Sequence, residues 1–218
     1  MFPAWTGAVR RPAWRPALHI CLASALLAAF PGIGGTQPAP ETESWNIAAG
    51  DVRVRCRMTI GGSFDAVTSA LSGTLRGEPL DPRYTGELRV DLATLDTGIG
   101  LRNEHLRNNY LELGRGPEFL HAVLSDIVLA ATPLAYDRRH KTRFSGTLRL
   151  HGVQRAVEGE AELRGRNGRM QVEAAFSLSL EAFDIPPPRY LGIGVRDAID
   201  VTVRFDAARG ETSSDGGS

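Results

Sequence analysis

Lysine is all but missing from this chain: Lys141 is the only one among 25 basic side chains, and the remainder are arginine. Net charge is missing too, because 25 acidic groups balance the 25 basic ones, so no bulk field marks the protein as a binder of nucleic acid or of an anionic membrane face. Cysteine is limited to Cys21 and Cys56. No apolar run is long: the greasiest stretch, Ala17 to Phe30, has 14 residues, against roughly 17 to 25 for a helix that crosses a bilayer. Several catalytic signatures are also absent. The chain has no G-x-S-x-G elbow, no P-loop, and no G-x-G-x-x-G opening a helix after a strand; Gly192-Ile193-Gly194 reads as a turn.

The short apolar run has a meaning of its own. Arg10, Arg11 and Arg15 precede it, which gives the basic start and brief hydrophobic middle of a secretory signal peptide. The expected organisation is a signal peptide over 1–35, cut between Ala28 and Ala39, then a flexible linker over 36–44, one folded domain over 45–208, and a Gly/Ser-rich tail over 209–218. Removal of 1–35 leaves 22 basic and 25 acidic groups and a formal charge of −3. It also leaves Cys56 alone, so no intramolecular disulfide forms and the fold rests on its core. The expected location is the periplasm.

Strict alternation dominates the folded segment. Val52, Val54, Cys56, Met58 and Ile60 alternate with Arg53, Arg55, Arg57 and Thr59, as in a strand with one dry and one wet face. The pattern returns at Leu71–Leu75, Leu88–Leu92, Phe144–Leu150, Val157–Leu163, Met170–Leu180 and Ile199–Phe205. Phe119–Leu129 completes eight strands, although Leu120, Ala122 and Leu124 compete there with Phe119, Val123 and Ile127 for the inner face. A single helix is expected at about Gly100–Tyr110, with Asp96 and Thr97 as caps. Eight antiparallel strands with short turns suit a sandwich or a closed up-and-down barrel, and the pattern alone does not choose between them. Small residues on the dry face, Gly73, Gly146, Gly159, Ala161 and Ala174, either leave room inside or mark tight bends.

Four histidines follow the leader: His105, His121, His140 and His151. None stands at metal-ligand spacing from another His or Cys, and no metal or cofactor is expected. Glu104 and His105 are adjacent, but neighbours on a helix point about 100° apart and do not share a proton unaided.

Two segments add a resemblance. Val90–Tyr110 reads VDLATLDTGIGLRNEHLRNNY and Gly146–Val157 reads GTLRLHGVQRAV. They are similar to the D-T-x(3-4)-R-x-x-H-L-R and L-T-L-x-G-V-x-K-x-V stretches of the YceI family of exported lipid-binding proteins, with Asp96, Thr97, Arg102, His105, Leu106 and Arg107 fitting the first. Leu148, Leu150, Gly152, Val153 and Val157 fit the second, and Arg155 stands where lysine is usual. The chain departs from the family at Thr59-Ile60-Gly61, at Tyr110-Leu111-Glu112, and at His121, where family members place an inward Phe.

The resemblance implies an all-β, eight-stranded antiparallel lipocalin-like barrel with one short helix packed over it. It implies a non-catalytic carrier that holds an isoprenoid or other long-chain amphiphile, such as a quinone or a polyprenyl compound, in a hydrocarbon-lined tunnel. Candidate wall residues are Val54, Met58, Leu88, Val90, His121, Phe144, Leu148, Phe176 and Leu178, for each of which ordinary core packing is the alternative. Candidate head-group residues at the mouth are Asn103 and Arg107 on the helix, and Arg189 and Tyr190 in the Pro-rich loop Ile185–Gly192. The expected partners are the lipid, a second copy of the chain in a homodimer, and a membrane or lipid-handling protein in transient contact. The rival readings are a hydrolase or lyase using His105 or His121 in the same cavity, and a stress-response interaction protein whose barrel is filled with side chains.

Overall fold

The computed structural model describes residues 42–79, 81–131, 139–190 and 193–210. The expected signal peptide, linker residues 36–41 and tail residues 211–218 lie outside the described residues.

Among the described residues the chain forms β1 (Glu43–Ile47), β2 (Gly50–Arg57), β3 (Ser63–Thr68), β4 (Leu71–Gly77), β5 (Arg83–Asp91), α1 (Gly100–His105), β6 (His121–Leu129), β7 (Arg139–Leu150), β8 (Val153–Arg166), β9 (Arg169–Ser179), β10 (Arg189–Tyr190), β11 (Ile193–Gly194) and β12 (Ala198–Arg209). All the strands but β10 and β11 belong to one sheet. β1 and β2 are two halves of one long strand broken at Ala48-Ala49, and β3 and β4 are halves of the next, broken at Ser69-Ala70. Their pairings share one register, with Trp45 opposite Leu75 and Val52 opposite Thr68. Each neighbour then pairs antiparallel in turn until β12 returns to β2 and β1, which closes an eight-stranded barrel. Closure leaves no long sheet edge exposed.

The alternation seen in the sequence sets the wall. Val52, Leu71, Leu88, Leu148, Leu163, Leu178 and Val201 are buried inward, and the arginines and acids between them face water. The outer face is laced with ion pairs: Asp65 accepts from Arg53 and Arg55, and Glu173 accepts from Arg204. Hydrogen bonding to Arg55 holds the Asp65 carboxyl below its ordinary value, and Arg204 does the same for Glu173. The domain runs slightly beyond its expected ends. Glu43 and Ser44, read as linker, and Arg209, read as tail, all belong to the sheet.

The ambiguous fourth strand is resolved by a bulge. The register of β6 shifts against both neighbours around Asp126, which adopts φ 52°. Ala122 and Leu124 face inward before the bulge, and Ile127 and Leu129 after it. Phe119 is not in the strand; it ends a short turn over Pro117–Phe119.

The helix forms where expected, as α1 followed by one wider turn over Leu106–Tyr110. Its cap is not the expected one. Ile99 precedes the first turn without a side-chain hydrogen bond, while Asp96 and Thr97 grip the helix from the side. Asn103 Oδ1 accepts from the Thr97 amide and hydroxyl at 2.8 and 2.7 Å, and its Nδ2 donates to Asp96 Oδ1 at 2.7 Å. Asp96 in turn exchanges two backbone bonds with Val67 of β3, so the helix entrance is pinned to the barrel.

Candidate functional site

The inner face encloses a cavity of about 960 Å³. At one pole it is sealed by Trp45, Leu129, Leu163, Met170 and Ala207, all buried. At the other it is rimmed by α1, the β10–β11 hairpin and the tip of the β2–β3 hairpin. Lining residues on this rim reach solvent: Ile99 is 49% exposed, Leu101 63% and Ile193 43%. Among the described residues the sleeve therefore has one mouth. Along β12 the lining runs from Ile199 to Ala207, roughly 27 Å of strand, or about 20 Å along the axis at the tilt of such barrels.

Its walls are hydrocarbon over almost their whole depth. Ala161 and Ala174 line it and leave space, whereas Gly159 serves the other purpose of a small residue. A side chain at Gly159 would strike the Ala175 carbonyl at 2.3 Å and Phe144 at 2.8 Å, so glycine lets the strands pack there.

Polar groups collect at the mouth. Arg102 lies 4.1 Å above the Phe64 ring, and Arg189, His105, Asn109 and Thr97 complete the set. Cys56 sits just inside; burial pushes its thiol up to about 11, the Asp65 charge adds to this, and Arg102 opposes it. Among the described residues no group of three or more His, Cys, Asp or Glu side chains is placed to hold a metal ion.

A short clip supports the rim from outside the cavity. Buried His151 contacts the Phe183 carbonyl through Nδ1 at 3.1 Å and Glu112 Oε2 through Nε2 at 3.0 Å. Both partners accept, so the two bonds coexist when both ring nitrogens carry protons. Arg115, through a hydrogen bond, and then His151 hold the Glu112 carboxyl below its ordinary value.

The YceI-like domain matches residues 45–207, all but the outermost two residues at each end of this barrel. The chain belongs to the YceI family. Its fold is shared by a polyisoprenoid-binding domain from Saccharophagus degradans implicated in plant cell wall breakdown, at 15% identity and a TM-score of 0.57, covering 79% of this chain and 100% of that one. BcnA of Burkholderia cenocepacia is also similar, at 15% identity and a TM-score of 0.55, covering 72% and 96%. At these identities the likeness is one of fold. No curated protein matches the chain.

Within this YceI domain, Val54, Met58, Leu88, Val90, Phe144, Leu148, Phe176 and Leu178 all line the cavity. His121 does not. It pairs with Asp91 in register, while its neighbour Ala122 pairs with inward Val90, so His121 belongs to the outer face. Asn103 and Arg107 also lie away from the cavity. Asn103 is spent on Asp96 and Thr97, and Arg107 Nη2 donates to the Leu95 carbonyl at 3.3 Å. Arg189 does line the mouth, on a two-residue strand where only a loop was expected. Tyr190 shares that strand, and its side chain lies outside the described residues.

The sequence reading overlooked Arg102 and Asn109 as mouth residues. The helical period does not separate them from Asn103 and Arg107, because 103 and 107 stand three residues before Leu106 and Tyr110 and flank the same apolar face; the contacts of Asn103 with Asp96 and Thr97, and of Arg107 with Leu95, fix which flank meets the opening.

Proposed function

We propose that this protein is a non-catalytic periplasmic carrier that holds an isoprenoid or other long-chain amphiphile, a quinone or polyprenyl compound among them, within its barrel. The observation that carries this reading is the sleeve of about 960 Å³, lined mostly by hydrocarbon in its depth and, among the described residues, by fixed charge only at the rim. Each methylene moved from water into such a wall gains about 0.8 kcal/mol, so a long tail binds tightly with few polar contacts. The polyisoprenoid-binding domain that shares the fold supports the same ligand class. Export is supported by Arg10, Arg11 and Arg15 before the apolar run Ala17–Phe30.

A binding role is favoured over catalysis by the placement of the histidines. Among the described residues no carboxylate lies within hydrogen-bond or ion-pair reach of His105 or His121, and the His151–Glu112 pair does not line the cavity. A side-chain-filled interaction barrel is disfavoured by the cavity itself.

The rim also supports transient contact with a membrane. Ile60, 67% exposed at the β2–β3 tip, stands next to Thr59, whose amide donates to the Gly194 carbonyl beside exposed Ile193. With Ile99 and Leu101 they ring the mouth in apolar side chains.

Native mass spectrometry of the purified protein, followed by organic extraction, tests the carrier reading. A stoichiometric long-chain amphiphile is expected. A protein that carries nothing and takes up neither a quinone nor a polyprenol would overturn it.

A further inference from the structure

Among the described residues the cavity lining contains two permanently charged side chains, Arg102 and Arg189, both at the mouth, and no Asp or Glu. On the outer wall, by contrast, Arg53 and Arg55 are held by Asp65, Arg57 by Asp200 and Arg204 by Glu173. Neither Arg102 nor Arg189 forms a hydrogen bond or an ion pair among the described residues. The nearby acids are otherwise engaged or turned away. Asp96 accepts from Gly98 and Asn103, Asp65 is bound by the outer arginines, and Glu104 of α1 does not line the cavity.

Arg102 is also held in place. Its guanidinium carbon lies 4.1 Å from the Phe64 ring centre, and no hydrogen bond among the described residues takes up its N–H groups. It is near enough to Cys56 to pull the thiol's proton equilibrium down against burial, so its field reaches into the sleeve. A ligand with a neutral head, an alcohol or a quinone, leaves both cations without a counter-ion at the edge of a low-dielectric wall. A ligand ending in an oxyanion supplies one in the fork geometry that guanidinium groups favour.

We propose that the cavity selects amphiphiles with an anionic head, a carboxylate or a phosphate, and that Arg102 and Arg189 are its head-group ligands. This rests on the carrier reading and narrows it to a ligand class. The tail is read loosely by the wall and the head by charge.

The test holds the tail constant. Farnesol, farnesoic acid and farnesyl phosphate share one prenyl chain, and their affinities for the purified protein are measured by calorimetry at low and high salt, alongside R102Q, R189Q and the double variant. At least one acid is expected to bind about tenfold or more tightly than farnesol at low salt, with the margin shrinking at high salt. The ranking of phosphate against carboxylate then identifies the oxyanion. The margin is expected to disappear in the double variant while farnesol affinity is kept. Equal affinities for all three heads would overturn the anionic-head proposal alone, as would a margin that survives in the double variant. Should that variant misfold, the wild-type salt response and the R189Q variant, altered at an exposed rim position, decide the question. Failure of all three compounds to bind would overturn the carrier reading with it.

Discussion

Phe144 and Phe176 meet edge to face inside the barrel, their ring centroids 6.0 Å apart, across the backbone of Gly159. This contact exists because the strand between them carries no side chain at that point. Gly159→Ala should destabilise the protein by about 1–3 kcal/mol, because the added methyl meets a backbone carbonyl that no rotamer change can move. The thermal midpoint should fall by several degrees, at roughly 2–4 °C per kcal/mol for a domain of this size. An unchanged midpoint would mean that the wall yields more easily than the packing implies.

Cys56 should be a slow nucleophile. With its thiol at about 11 against an ordinary 9.0, it carries about a hundredfold less thiolate at neutral pH than an ordinary cysteine. Alkylation by iodoacetamide at pH 7.5, followed by mass spectrometry, should run at least about tenfold slower than for glutathione, and slower still with lipid in the cavity. A rate matching glutathione would refute this. The raised value in the folded state also means that its contribution to stability is present below pH 9.0 and lost as pH rises through about 11.

The Glu112 clip predicts an acid-side effect of the same kind with opposite sign. Its folded-state value is lowered, so its stabilisation is present above the ordinary 4.5 and is lost as pH falls below it. Glu112→Gln should therefore have a lower thermal midpoint than wild type at pH 7, and the two should converge as pH drops below about 4. Parallel curves across that range would show that the carboxylate charge is not what holds His151.

Charging the rim should detach the protein from membranes without emptying it. Ile60→Glu places a carboxylate on a side chain that is 67% exposed and does not line the cavity. In flotation with liposomes, wild type should co-migrate and the variant should co-migrate less, while both retain extractable lipid. Equal flotation would rule out the apolar ring as the contact.

Much of the barrel was legible because alternation is a direct imprint of a two-faced wall. Eight of the nine wall residues read from the sequence line the cavity, since one inward position fixes its neighbours two residues on. The failures come where that rule lapses. His121 precedes a bulge, and counting back through an inserted residue from Ile127 assigns it to the wrong face. Ile60 continues the β2 pattern past Arg57, where the chain turns, and so stands in solvent. β3 was missed because Ser63–Thr68 mixes polar and apolar residues on both faces. Asn103 and Arg107 flank the Leu106–Tyr110 face as closely as Arg102 and Asn109 do, so the period cannot tell the two flanks apart; the bonds of Asn103 to Asp96 and Thr97 and of Arg107 to Leu95 decide it.

The sealed pole at Trp45, Leu129 and Met170 governs how a guest is replaced. With one opening among the described residues, the tail enters first and the head leaves first, and an incoming molecule cannot push a resident one through. Exchange then waits on spontaneous departure: its rate depends on the loaded protein alone and does not rise with the concentration of the competitor. A carrier built this way releases cargo on its own clock, and only something that engages the rim can hurry it.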